Sequence, residues 1–135
     1  LLNILRLGHI TGNPDLLKIA DRLTSAFSDT INQYPSGYTY FLCGLDFAVG
    51  TTKDIVIAGD PGSDDTKRIL REIWSRFIPR KTLIVSSSAD KSIEDVAGRV
   101  KAQDMINNKA TVYVCENNTC KPPATDIREI VRLLE

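Results

Sequence analysis

The sequence predicts an α/β fold. Antiparallel helices occupy residues 1–50, and a small three-stranded parallel sheet with helices on both faces occupies residues 51–135. Three observations carry that expectation. Residues 53–77, KDIVIAGDPGSDDTKRILREIWSRF, pass from the apolar run Ile55–Ala58 through Gly59-Asp60-Pro61-Gly62 into Ile69, Leu70, Ile73, Trp74 and Phe77 at helical spacing. Two further strand-like runs, Thr82–Val85 and Thr111–Cys115, follow with helix-compatible sequence between them. Before residue 50 the periodicity is helical, most clearly at Leu16, Ile19, Ala20, Leu23, Ala26, Phe27 and Ile31.

Taken in order, Leu1–Ile10 is a helix closed by Thr11-Gly12-Asn13-Pro14. Gly and Asn favour the left-handed conformation that ends helices, and proline is suited to begin the next one. That helix runs from Asp15 to about Asn32 and stops at Tyr34-Pro35-Ser36-Gly37; a third, aromatic-rich, spans Tyr38–Val49 with Cys43 inside it. Gly50-Thr51-Thr52 marks the change of composition. Strand Ile55–Ala58, helix Asp64–Phe77 and strand Thr82–Val85 follow, then a short helix, Ser92–Lys101, opened by a Ser92/Asp95 capping box. Asn107-Asn108 is a turn before strand Thr111–Cys115. Pro122-Pro123 forbids further strand or helix, and Asp126 caps a last helix bearing Ile127, Ile130, Val131 and Leu134. Alternating strands and helices imply parallel strands with right-handed crossovers. The third strand alternates in polarity and is expected at an edge, in the order second–first–third. Cys115 would then neighbour the loop after the first strand, where open α/β sheets usually bind ligands.

Composition narrows the classes of function. At 135 residues the chain fits one domain, or one with a fragment of another. The 17 basic and 17 acidic residues cancel without a basic stripe, so nucleic acid is not an expected partner. No apolar run approaches the ~20 residues of a membrane span. The chain opens at Leu1, without methionine and in mid-pattern, and is expected to be cut from something longer. Three cysteines are too few for a disulfide framework and favour a reducing, cytoplasmic location.

Two stretches are candidate sites. Gly59, Asp60, Gly62, Ser63 and Asp64 lie between a strand and a helix, where backbone N–H groups can hold a phosphate. The spacing is neither a dinucleotide fingerprint nor a P-loop, and Asp60, Asp64 and Asp65 would repel an anion. The plainer reading is a tight turn with Ser63 or Asp64 as helix cap. Cys115-Glu116-Asn117-Asn118-Thr119-Cys120 is the more unusual stretch. With Asn117-Asn118 as a two-residue turn, the cysteines face each other at a non-hydrogen-bonded position, with Cα atoms roughly 4.5 Å apart. The pair is either two thiols shaping a turn in a reducing cell or a readily reduced dithiol–disulfide element. Only His9 and Cys43 remain to complete a zinc site, so neither a metal nor any cofactor is expected. His9, alone near a helix end, is read as structural, no catalytic triad can be assembled, and Trp74, Phe77 and Phe27 are read as packing.

With these residues laid out, a resemblance appears. The run ATVYVCENNTCKPPATDIREI resembles the C-terminal signature of the thioredoxin-domain-containing family that includes the spermatogenesis-associated, thioredoxin-like proteins. LLNILRLGHITGNPDLLKIADRL is similar to that family's late helical hairpin, and KDIVIAGDPGSDDTKRIL to its Ile-Val-Ile-x-Gly segment. Ala110 departs from the pattern where proline is more usual. The resemblance implies a parent with a thioredoxin-like N-terminal domain, then a helical toroid of the six-hairpin glycosidase and sugar-epimerase type, then this α/β tail. Residues 1–50 would close the toroid, and only Cys115 and Cys120 match a family motif.

The expected function is an accessory module of unknown activity, not catalytic by itself, that packs on the remainder of its own polypeptide. Self-association through the exposed helices is expected when it stands alone. Two alternatives stand beside it: a redox-sensitive dithiol at Cys115 and Cys120, and a non-catalytic part of a carbohydrate-active enzyme.

Overall fold

Strand β1 (Lys53–Ala58) lies inside a sheet with β2 (Lys81–Ser86), β3 (Thr111–Glu116) and β4 (Thr119–Cys120), in the order β2-β1-β3-β4. The architecture comes from a computed structural model that describes residues 1–89, 92–117 and 119–135. Helices α1 (Leu2–Thr11), α2 (Pro14–Gln33) and α3 (Thr39–Val49) precede the sheet. Helices α4 (Asp64–Trp74), α5 (Ser92–Val96) and α6 (Ile127–Leu134) are threaded through it. The class is the expected α/β.

Both faces of β1 are covered, as its unbroken apolar run requires. Ile55 and Ile57, fully buried, join Val112 and Val114 of β3, Ile69 and Ile73 of α4, and Ile130 and Leu134 of α6 in the largest core cluster. Each such side chain contributes roughly 1.5–3 kcal/mol of transfer free energy. The opposite face places Val56 against Ile84, Ala97 and Val100, with Ile10 of α1 packed alongside.

Strand direction departs from expectation. β1 and β2 are parallel, with Ile55 opposite Leu83, but β3 runs antiparallel to β1, with Ile55 opposite Val114. A parallel β3 would require the chain to return the length of a strand, about 20 Å for six residues. The expected helix Ser92–Lys101 is instead the five-residue α5, followed by a 3-10 turn at Gly98–Ala102. Five helical residues advance only about 7 Å. The connection makes no helical return along the sheet, and the chain enters β3 at the end where it left β2. Asn107 and Asn108, with φ 53° and 56°, turn it there in the left-handed conformation, with Ile106 paired to Lys109.

Nor is β3 an edge. Cys115 pairs with Cys120 and Glu116 with Thr119 across β4, and β2 is the outer strand on the other side. Pro122-Pro123 interrupts pairing without ending it. The Lys121 N–H donates to Val114 O (2.9 Å), and Val112 and Ala124 exchange two hydrogen bonds (2.8 and 3.0 Å). Pairing 112 with 124 but 115 with 120 shifts the register by one residue, a bulge at the prolines. The expected Asn117-Asn118 turn includes Asn118, which lies outside the described residues; Asn117 has φ 49°. The cap position before Ser92 also falls outside them.

The first three helices begin and end by local chemistry. Asn13 Oδ1 accepts from the Asp15 N–H (2.9 Å) with Pro14 as the first helical residue of α2, and Gly12 at φ 69° closes α1. The third helix starts later than expected, after a 3-10 turn at Pro35–Tyr38. Leu2 and Leu5 of α1, Ala20 of α2 and Phe47 of α3 form a separate small core. The contact of α3 with α1 depends on Gly44, where a Cβ would stand 3.0 Å from the Leu2 backbone nitrogen.

α4 ends at Trp74, three residues before its expected end. Phe77 therefore leaves the helical stripe. It is 92% exposed and Trp74 64%, so neither is core packing; Lys81 Nζ stands 5.0 Å over the Trp74 ring. Phe27 is also exposed, and its ring meets only those of Tyr38 and Phe41 among the aromatic pairs of the described residues.

Candidate functional site

Cys115 and Cys120 are joined in a disulfide across β3 and β4, with Cα atoms 3.9 Å apart. Their two environments differ. Cys115 is buried on the sheet, whereas Cys120 is exposed on the two-residue β4. Antiparallel pairing sets Cys115 opposite Asp54 and Thr111 opposite Ala58. The disulfide is therefore at the start of β1, about 13 Å from the Gly59 end. The expected meeting of Cys115 with the Gly59 loop does not occur.

Charged side chains fix the base of this hairpin. Lys53 Nζ donates to the Leu134 carbonyl of α6 (2.8 Å) and lies 3.3 Å from Glu116 Oε1, which Lys121 approaches at 3.5 Å. Partial burial pushes the Glu116 carboxyl up, but Lys53 and Lys121 outweigh it and hold the group below the usual carboxylate range. Beside Cys115, the buried Asp54 accepts from Thr82 Oγ1 (2.6 Å), and His9 Nδ1 lies 3.5 Å from the same carboxylate oxygen. The His9 ring also meets Phe47 edge-on at 5.3 Å. His9 thus joins α1 to the sheet. Asp54 escaped the sequence reading; its one visible signal is a charge heading an apolar strand.

The Gly59–Asp64 loop folds back on itself. Asp60 Oδ1 accepts from the Gly62 N–H (2.8 Å), the Asp60 carbonyl accepts from the Ser63 N–H (3.0 Å), and Ser63 Oγ donates to that same carbonyl (2.7 Å). Ser63 occupies the cap position of α4, but its side chain accepts from no helix N–H and instead meets Thr66 Oγ1 at 2.9 Å. Asp64 is the first helical residue, and its neighbour Asp65 reaches across to accept from the Ala110 N–H (2.9 Å). The Ser63 hydroxyl and then the Ala110 N–H hold Asp65 below the ordinary carboxylate range. Gly59 is needed for close approach, since a Cβ there would run into Thr66 Oγ1. Two of the N–H groups that a phosphate would use are thus already occupied.

The remaining candidate is apolar. Leu2, Tyr40, Leu42, Cys43, Phe77 and Pro79 line an open groove of about 700 Å³ between α1, α3 and the segment after α4. Arg80 crosses it to Asp46 of α3, with Nε and Nη2 each 2.9 Å from a carboxylate oxygen. Tyr40 in its lining is 66% exposed, and Val49, the last residue of α3, is 85% exposed. Cys43 is a free, exposed thiol. Among the described residues no three of His, Cys, Asp and Glu converge as metal ligands, and no helix is long and apolar enough to cross a membrane.

No protein-family model matches the chain, and no solved structure does. Three curated relatives do. The chain is 34% identical over 137 aligned residues to spermatogenesis-associated protein 20 of Rattus norvegicus. It is 33% identical over 133 residues to the proteins of that name from Mus musculus and Homo sapiens. Each alignment takes in 98% of this chain but 17% of the relative. The chain is therefore similar, over nearly all its length, to one segment of much longer proteins.

Proposed function

We propose that this chain is the C-terminal accessory module of a longer, thioredoxin-like polypeptide, cytoplasmic and without catalysis of its own, whose task is to pack against the rest of that polypeptide. In this reading residues 1–50 complete a helical toroid and residues 51–135 form a small α/β domain attached to it. The observation that carries it is the apolar groove lined by Tyr40, Leu42 and Phe77, exposed in a chain spanning 17% of its relatives' length. Large side chains this exposed on one side mark a surface that another part of a protein covers. The test is hydroxyl-radical footprinting of Phe77, Tyr40 and Trp74 in this chain alone and in the longer polypeptide. Several-fold protection in the longer protein is expected, together with self-association of the isolated chain that Phe77→Asp abolishes. Equal labelling in both contexts overturns the proposal.

A second reading is favoured by the Cys115–Cys120 bond. In a reducing compartment a disulfide with one cysteine at an exposed position is open to attack by a thiolate such as glutathione. Two glutathione thiols would then yield the Cys115 and Cys120 thiols and one oxidised glutathione. Counting reactive thiols across a series of glutathione redox buffers tests this. A midpoint within the cytosolic range supports a redox element; thiols that stay fixed in number throughout that range remove it.

A further inference from the structure

β2 is the outer strand on its side of the sheet, with no strand beyond it among the described residues. Its ladder to β1 is fixed at both ends: the Lys53 N–H donates to the Arg80 carbonyl and the Gly59 N–H to the Ser86 carbonyl, each at 2.8 Å. Strand alternation then turns the backbone groups of Thr82, Ile84 and Ser86 toward β1, and those of Lys81, Leu83 and Val85 outward. Among the described residues no backbone group pairs with these outward ones. Such an open row is a template for one further strand. A groove of about 430 Å³ runs along it. On one wall Ile10 of α1 packs with the Val56–Ile84 cluster; on the other Leu70 of α4 packs with the Ile55 cluster on the opposite face of the sheet. Walls rising from opposite faces meet in one groove only at the sheet's edge, so β2 is its floor.

The groove is cationic at one end and apolar along the rest. Arg6 and Lys81 lie at the start of β2, while Ile10, Leu70 and Val85 line the remainder. Burial, and then the neighbouring Arg6, holds Lys81 below the usual lysine value. Neither cation has an acidic partner. Lys81 Nζ lies over the Trp74 ring and donates to the Ile78 carbonyl (3.3 Å), which leaves two of its protons to give. Arg6 has neither a hydrogen bond nor an ion pair among the described residues; its Nε is buried, so a ligand meets its terminal nitrogens. The acids bonded to groups beside the groove are already engaged, Asp54 by Thr82 and His9 and Asp46 by Arg80. No described residue of the lining is acidic. Asp90, Lys91 and Asn118, outside the described residues, sum to no net charge. A lysine on an open edge guards it against indiscriminate pairing, and an acidic strand is the kind it admits.

We propose that β2 accepts an extended acidic peptide segment as a fifth strand of the sheet. The backbone of the segment pairs with Lys81, Leu83 and Val85, its acidic side chains lie at the Arg6–Lys81 end, and its apolar ones rest on Leu70 and Ile10. A second copy of this chain is the poorer occupant, because its β2, KTLIVS, has no acid to offer. The proposal goes beyond the packing described above; the two grooves share only Arg6. Titration of the 15N-labelled chain with acetyl-Glu-Glu-Thr-Val-Thr-Val-amide and acetyl-Val-Thr-Val-Thr-Glu-Glu-amide, which set the acids at either end of a strand, tests it. The same peptides with lysine for glutamate are the controls. Saturable shifts of the Lys81, Leu83 and Val85 amides are expected with at least one acidic peptide, together with several-fold slower solvent exchange at Leu83 and Val85. Lys81→Gln should weaken binding about tenfold, and Arg6→Gln, in a different element, provides a second variant with the same expected loss. Absence of shifts up to about 2 mM peptide overturns the proposal. So do lysine peptides that bind as well, shifts without slower exchange, or binding that neither substitution alters. Slower exchange of the same amides that grows with protein concentration, with no peptide present, would make a second copy the occupant and overturn it too.

Discussion

β1 and α2 are the two most regular apolar patterns in the chain, and they meet opposite fates. In β1, five of six residues are buried; in α2, twenty residues long, only Ala20 and Ile31 are. The strand is covered by α4 and α6 on one face and by Ile84, Ala97 and Val100 on the other. The helix has α1 to lean on, while Leu17, Ile19 and Phe27 remain more than a third exposed. Periodicity records which face a segment will bury, and says nothing of whether the covering partner is present in the same stretch of chain. The sheet is covered on both faces, whereas α2 leaves several apolar side chains exposed.

The sharpest way to break this contrast is to truncate one residue from each side. Ile57→Ala, at a fully buried core position, should lower unfolding free energy by about 2–5 kcal/mol. Phe77→Ala, at 92% exposure, should change it by less than about 0.5 kcal/mol. Urea midpoints measure both, and comparable losses would end the distinction. Helix caps give a finer comparison. Asp126 accepts from the Arg128 N–H (2.8 Å) at the start of α6, as Asn13 does for α2. Each change to alanine should cost about 1 kcal/mol of local helix stability. Asp126→Ala should shift the main melting transition, while Asn13→Ala should mainly speed amide exchange in α2. A full shift of the main transition by Asn13→Ala would show the two halves to be one cooperative unit.

The smallest effect is electrostatic. Glu116 titrates below its ordinary value in the folded chain, so its contribution is fully present above the unfolded carboxylate pKa near 4.3. That contribution is lost as pH falls through the lower, folded value. For a half-buried cluster still screened by solvent it amounts to a few tenths of a kcal/mol. Glu116→Gln should flatten the acid limb of a stability–pH curve by that amount and leave pH 7 to 8 unsloped; an unchanged acid limb would detach Glu116 from stability.

Much of the fold could be read from particular residues. Gly12-Asn13-Pro14, Asn107-Asn108 and Asp126 mark their boundaries by local chemistry, and the order β2-β1-β3 agrees with the expected one although β3 is not the edge from which that order was argued. Strand direction could not be read this way. It depended on the expected ten-residue helix ending after five residues, at Val96, so that no long helix carries the chain back along the sheet. The error then moved Cys115 to the wrong end of β1, because site geometry inherits strand direction. The facing of the two cysteines did follow from their spacing. Asp54 with His9 and Thr82, the Asp46–Arg80 pair and the groove along β2 assemble residues distant in sequence, and no local pattern announces them.

The doubled proline has a consequence for how this molecule lives among copies of itself. Along residues 119–124, Lys121 and Ala124 direct their N–H groups inward to β3, and Pro122 and Pro123 have none to offer. A passing strand would find that border almost without donors, and so a poor seed for fibril growth.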